Sequence, residues 1–202
     1  PNRSEARTST LILIAPPAGC KLEVGGRVLF PFYSRFSAVV VDFADDTDRE
    51  HFVERLANVV LETSTACFAW ALIPNHFHLL VRTGDAPISM IMRRLLTSYA
   101  VHYNRRHRRS GHVFQNRYKS ILCQEDPYLL ELVRYIHLNP VRAKIISDFS
   151  ELDYYPYCGH SRLMGRIDNG WQDTEAVLIL FGENKSSART RYSDFVRNGL
   201  SM

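Results

Sequence analysis

The sequence predicts an α+β fold: a ferredoxin-like antiparallel sheet with helices packed on one face, and a small helical appendage at the C-terminal end. Two observations carry this expectation. The hydrophobic periodicity changes along the chain in the order strand, helix, strand, strand, helix, strand, helix, as expected of a layered sheet-and-helix unit. The length of 202 residues, 46% hydrophobic and 23% charged, suffices for one sizeable core and is short for two full domains. The chain accordingly divides into an atypical N-terminal segment over 1–41, a main unit over 42–150 and the appendage over 151–202.

Within the first 41 residues, Leu11-Ile-Leu-Ile14, the Pro16-Pro17 break, Gly25-Gly26 and Val39-Val-Val41 suggest short strands without clear alternation. Thr47-Asp-Arg-Glu50 then matches a capping box, and Phe52, Val53, Leu56, Val59 and Val60 recur at helical spacing, so a helix is expected from about Asp48 to Leu61. Ala66 to Ile73 is a β-prone run broken by Pro74-Asn75, after which His76 to Arg82 alternates as a second strand; the two should pair as a hairpin. Ile88, Ile91, Met92, Leu95, Leu96, Tyr99 and Tyr103 mark a second amphipathic helix that runs into the basic stretch and stops near Ser110-Gly111. Tyr118 to Cys123 reads as another strand. Asp126 is placed to cap a third helix with Pro127 at its first position, and that helix is expected to end at Asn139, before Pro140. In the appendage, Asp173 to Phe181 reads as a helix.

The formal net charge of +4 and the pI near 9.0 permit a polyanionic partner, and the distribution of charge is more telling. No acidic residue lies between Asp85 and Glu125, whereas Arg93, Arg94, Arg105, Arg106, Arg108, Arg109, Arg117 and Lys119 do. A solvated basic helix face normally interleaves both signs, so this run favours phosphate binding. Cys20, Cys67, Cys123 and Cys158 form no CxxC pair, which speaks against a zinc ribbon or a dense disulfide framework and fits a reducing cytoplasm. The apolar run Leu11 to Ala15 is too short to span a bilayer and lacks the layout of a signal peptide, so a soluble cytoplasmic, nucleoid-associated protein is expected.

Side chains alternate along a strand, so His76 and His78 project to one face while Phe77, Leu79 and Val81 face the other, toward the core. Such an imidazole pair suits Mn, Zn, Fe or Ni, and can hold Mg²⁺ if oxygen ligands complete the shell; taken alone, a His-x-His is more often structural. On the third helix, Tyr135 and Asn139 lie four apart and share a side, which can set a nucleophile beside an oxygen ligand. Equally, Tyr135 reads as a half-buried aromatic and Asn139 as a cap before Pro140. Tyr103, beside Asn104 and the arginine cluster, is the rival nucleophile.

Four segments in combination are more specific: Pro74-Asn-His-Phe-His-Leu-Leu-Val81, Tyr103-Asn-Arg-Arg-His107, Ser110-Gly-His-Val-Phe-Gln-Asn-Arg-Tyr-Lys119 and Arg134-Tyr-Ile-His-Leu-Asn-Pro-Val141. In this order, over roughly residues 42 to 146, they resemble the histidine–hydrophobe–histidine single-tyrosine transposases, especially the REP-associated tyrosine transposases and their insertion-sequence relatives. The resemblance implies a Mg²⁺ or Mn²⁺ ion held by His76 and His78, with Asn139 at the family's polar third ligand, and Tyr135 as the nucleophile that forms a 5′-phosphotyrosine link to single-stranded DNA near a hairpin. Arg105, Arg106, Arg108, Arg109, Arg117 and Lys119 would then neutralise DNA phosphates, and Phe114 or Tyr118 would either stack on an unpaired base or, more commonly for such residues, pack in the core. The family includes homodimers as well as monomers.

One departure stands out. Family members open with a strand carrying a Tyr-His-Val-like stretch followed by Arg-Gly, lining the sheet beside the histidine strand, and Leu22 to Val41 holds unrelated residues in its place. A sheet lacking that member would be poorly made. Two other readings therefore stand beside the transposase: a DNA-binding remnant that no longer cuts, and a hydrolytic metallonuclease that uses water and tolerates Tyr135→Phe.

Overall fold

The computed structural model describes residues 11–14, 23–24, 27–28, 43–114, 118, 120–123, 127–168 and 170–200. The sequence expectations for Arg117, Lys119, the Asp126 cap, Cys20 and Val39-Val-Val41 lie outside these residues. The described elements are β1 (Leu11–Ile14), β2 (Glu23–Val24), β3 (Arg27–Val28), α1 (Asp46–Glu62), β4 (Ala66–Ile73), β5 (His76–Arg82), α2 (Ile88–Arg106), β6 (Ser120–Cys123), α3 (Pro127–Arg142), α4 (Phe149–Leu152), α5 (His160–Leu163), α6 (Thr174–Leu178), a 3₁₀ turn over Ile179–Phe181, and α7 (Lys185–Asn198). They form an α+β fold around a four-stranded antiparallel sheet ordered β4-β5-β1-β6; β2 and β3 pair separately.

The hairpin forms as its alternation predicts, with Ile73 opposite His76 and Ala71 opposite His78. The strand that motif comparison failed to find is supplied by β1. Leu11 to Ile14 lies between the histidine strand and β6, pairing Ile12 with Val81 on one side and with Leu122 on the other. A strand paired on both edges asks for an extended apolar segment rather than a particular motif, and its Ile12 is buried.

Helices cover both faces of the sheet, which corrects the expectation of one face. Phe77, Leu79 and Val81 pack with α1 and α2 through Phe52, Leu56, Leu95 and Tyr99 in one core cluster. Leu80, Phe68 and Ala71 pack on the other face with Leu132, Val133 and Ile136 of α3. The reason is visible along the hairpin: β5 alternates in direction, yet both of its faces are buried, so a second layer has to cover the histidine side. The C-terminal helices join this second cluster through Leu163, Val177, Ala188, Tyr192 and Val196. The C-terminal segment also closes the exposed edge of β4, where Leu72 N–H donates to Tyr157 O, Gly159 N–H to Trp70 O and Asp173 N–H to Cys67 O, each at 2.9 Å.

Three helix ends differ from the sequence expectation. Helix α1 begins earlier because Asp45, not Thr47, is its cap: the carboxylate accepts from the Asp48 N–H, and Asp48 accepts in turn from the Ala44 N–H. Helix α2 ends at Arg106, with Arg108 in the left-handed region at φ 50°. Helix α3 runs through Pro140 to Arg142. Proline lacks the N–H that would reach Ile136 O, and the Asn139 side-chain amide takes over, donating to Ile136 O at 3.3 Å and to Tyr135 O at 2.9 Å. Helix α7 went unpredicted because only Ala188, Tyr192 and Val196 mark its buried face within a polar segment.

Candidate active site

The site lies where β5 meets α3. Strand alternation turns His76 and His78 to the same face, with ring centroids 5.0 Å apart, and α3 crosses that face so that Tyr135 meets His78 edge-on at 5.7 Å and 86°. His78 is buried, His76 half-buried and Tyr135 8% exposed, so the three rings form a largely buried corner.

The donor chemistry of the two histidines fits a metal. His76 Nδ1 lies 2.7 Å from the Asn75 side-chain oxygen, which can only accept, so the proton sits on Nδ1 and Nε2 keeps its lone pair. Both ring nitrogens of His78 are buried without a hydrogen-bond partner among the described residues. A buried imidazole left this way is costly, by about 1–3 kcal/mol for each unsatisfied group, and a ligand relieves it. Burial pushes the His76 pKa down to about 4; burial, then the neighbouring His76, push that of His78 down to about 3. Both rings are therefore neutral at physiological pH, the form that ligates. Among the described residues no third His, Cys, Asp or Glu joins them. Asn139 sits one turn beyond Tyr135 with its amide nitrogen committed to the helix backbone, which leaves its oxygen as the donor atom. No hydrogen bond joins Asn139 to either histidine among the described residues.

Arg142, absent from the sequence reading, also borders the site. Its guanidinium carbon lies 5.9 Å from the centroid of the Tyr135 ring, and Nη2 donates to Gly199 O at 3.2 Å. Extending α3 past Pro140 would have found it, seven residues after Tyr135.

The structure sorts the basic cluster. Arg106 is exposed but has its charge engaged, bonding Asp45 and the fully buried Asp48 at 2.6 Å each, while His107 Nε2 lies 3.0 Å from the same Asp48. The Arg106 hydrogen bond holds the Asp45 pKa below its usual value. Arg105 and Arg108 are exposed and make no ion pair among the described residues; Arg109, also exposed, stacks on Tyr103 at 5.5 Å. Tyr103 is buried in the α1–α2 cluster, across the sheet from the histidines, which separates the rival nucleophile from them. Phe114 and Tyr118 pack against that same cluster.

Comparisons with known proteins bear on this geometry. A family model described as "Transposase IS200 like" matches residues 41–139, an interval that spans both histidines, Tyr135 and Asn139. A solved structure described as "Structure of the REP associates tyrosine transposase bound to a REP hairpin" aligns with a TM-score of 0.55 at 13% identity, covering 82% of this chain and 91% of that one. At that identity the likeness is one of fold. No curated protein matches the chain.

Proposed function

The chain belongs to the IS200-like transposase family, and from that premise we propose that it is a single-strand DNA endonuclease and strand transferase whose nucleophile is Tyr135. The observation that carries this reading is the corner itself: a histidine pair with neutral, ligand-ready nitrogens set against a tyrosine ring 5.7 Å away. Single-stranded or hairpin DNA is the substrate class, in keeping with the hairpin bound to the solved relative.

The Tyr135 phenol attacks a backbone phosphorus in line with the departing 3′-oxygen. The Tyr135 Oη–P bond forms, the P–O3′ bond breaks, the phenolic proton leaves to solvent, and the 3′-oxygen takes up a proton as a free 3′-OH. Attack by another 3′-OH on the phosphotyrosine reverses these changes and regenerates the phenol, so strand transfer needs no nucleotide cofactor. His76, His78 and the Asn139 oxygen would hold a Mg²⁺ or Mn²⁺ ion, which when bound polarises the phosphate and offsets charge building on it. The chain's own part is positional. Helix α3 fixes the phenol against the histidine strand, and the buried corner keeps water from competing as nucleophile. Arg105, Arg108 and Arg109 offer exposed charge to the backbone of the bound strand.

The place beside the histidine strand is occupied by β1, which supports a formed catalytic unit over a binding remnant. The test is incubation with labelled single-stranded DNA bearing candidate hairpins and Mn²⁺, scoring a denaturant-resistant adduct. Wild type should form it, and Tyr135→Phe and His76→Ala should not. Cleavage without an adduct that persists in Tyr135→Phe would establish the hydrolytic nuclease instead. Salt-sensitive DNA binding without any cleavage would establish the remnant.

A further inference from the structure

Resting on Tyr135 as the nucleophile, we propose that Arg142 grips the phosphate under attack, and that the end of α7 holds it in position to do so. Tyr135, Asn139 and Arg142 follow at intervals of four and three, so they form one stripe along α3. The Arg142 guanidinium lies beside the Tyr135 ring at 5.9 Å. Arg134, eight residues earlier on the same helix, has its charge engaged: it pairs with Glu131 and stacks on Phe195. Arg142 is exposed and has no carboxylate partner among the described residues. Its side-chain hydrogen bond is to a neutral carbonyl, Gly199 O, which fixes the group without neutralising it.

That tether depends on close approach. A Cβ on Gly199 would lie 2.7 Å from Arg134 Cδ and 2.9 Å from Leu138 Cδ1, so a residue without a side chain is what lets the chain end of α7 come down on α3. The carbonyl that results occupies one N–H of a five-donor fork and leaves the rest for an anion. A planar guanidinium takes two phosphate oxygens at once, and aromatic contact with Tyr135 limits its swing. In an in-line displacement the non-bridging oxygens gain charge, and a cation already in place stabilises them without reorganising.

The test uses the full chain, a labelled single-stranded oligonucleotide carrying a hairpin, Mn²⁺, and the variants Arg142→Gln, Arg142→Lys, Gly199→Ala and Tyr135→Phe. Arg142→Gln should slow adduct formation at saturating DNA by roughly 100-fold, the usual size of losing one such donor. It should also lower the slope of log affinity against log salt for single-stranded DNA by about 0.7, with the unfolding midpoint unchanged. Arg142→Lys should restore the salt slope but only part of the rate, and Gly199→Ala should slow the rate while keeping the slope. Wild-type rate and slope in Arg142→Gln, with no adduct in Tyr135→Phe, would overturn the role of Arg142 and leave the nucleophile standing. An adduct in Tyr135→Phe would overturn the nucleophile and this inference with it. The salt slope reads the phosphate contact whether or not cleavage occurs.

Discussion

Replacing Tyr192 by Phe removes one oxygen from the interior and should loosen the helix that carries Tyr135. Tyr192 is fully buried on α7, and its hydroxyl sits 2.8 Å from His160 Nδ1 and 2.7 Å from His137 Nδ1. The proton order follows from chemistry. His160 Nε2 lies 3.0 Å from the Asp153 carboxylate, which can only accept, so the neutral ring carries its proton there and Nδ1 accepts from the Tyr192 hydroxyl. The hydroxyl oxygen accepts in turn from His137 Nδ1–H. His137 Nε2 has no partner among the described residues, so a change of tautomer does not rescue the ring once the hydroxyl is gone. Tyr192→Phe thus leaves a buried donor on His137 and a buried acceptor on His160. At about 1–3 kcal/mol for each unsatisfied group, and allowing for relaxation, the loss is about 2–4 kcal/mol. For a chain of this size that corresponds to a fall in Tm of roughly 5–15 °C. Urea unfolding with a fluorescence readout measures it, with thermal unfolding as a second probe. A loss below about 0.5 kcal/mol would refute the reasoning, because it would mean that the hydroxyl bridges nothing that matters.

Two further outcomes are expected. Stability in metal-free buffer should fall as the pH drops from about 6.5 toward 4, because His78, His137 and His160 have folded pKa values lowered by burial. For such groups the unfolded chain binds more protons within the window, so stability is full above the unfolded pKa and is lost at up to about 1.4 kcal/mol per pH unit for each ring; urea midpoints that stay flat across this range would contradict it. Among the arginines after Tyr103, Arg105→Gln and Arg108→Gln should each lower the salt slope of single-stranded DNA binding by about 0.7. Arg106→Gln should instead lower the urea unfolding midpoint, because the buried Asp48 loses one of its partners, with little change in slope; the reverse pattern would show that Arg106 faces DNA.

The sequence by itself determined what is local. Period-two alternation set the hairpin over Ala66–Ile73 and His76–Arg82 and turned both histidines to one face, and period-3.6 spacing set the bodies of α1, α2 and α3 with Tyr135 and Asn139 on one stripe. Those patterns depend only on neighbours a few residues apart, so they can be read without knowing the path of the chain. Tertiary structure decided what covers each face and which polar groups find partners. It laid α3 over the histidines, inserted Leu11–Ile14 beside them, and paired Arg106 with Asp48, 58 residues away. It also joined His137 to Tyr192 across 55 residues and brought the Gly199 carbonyl to Arg142. An arginine, a buried histidine or an apolar tetrapeptide carries no local mark of such a partner, because the energy that selects it arises only when distant segments exclude water together.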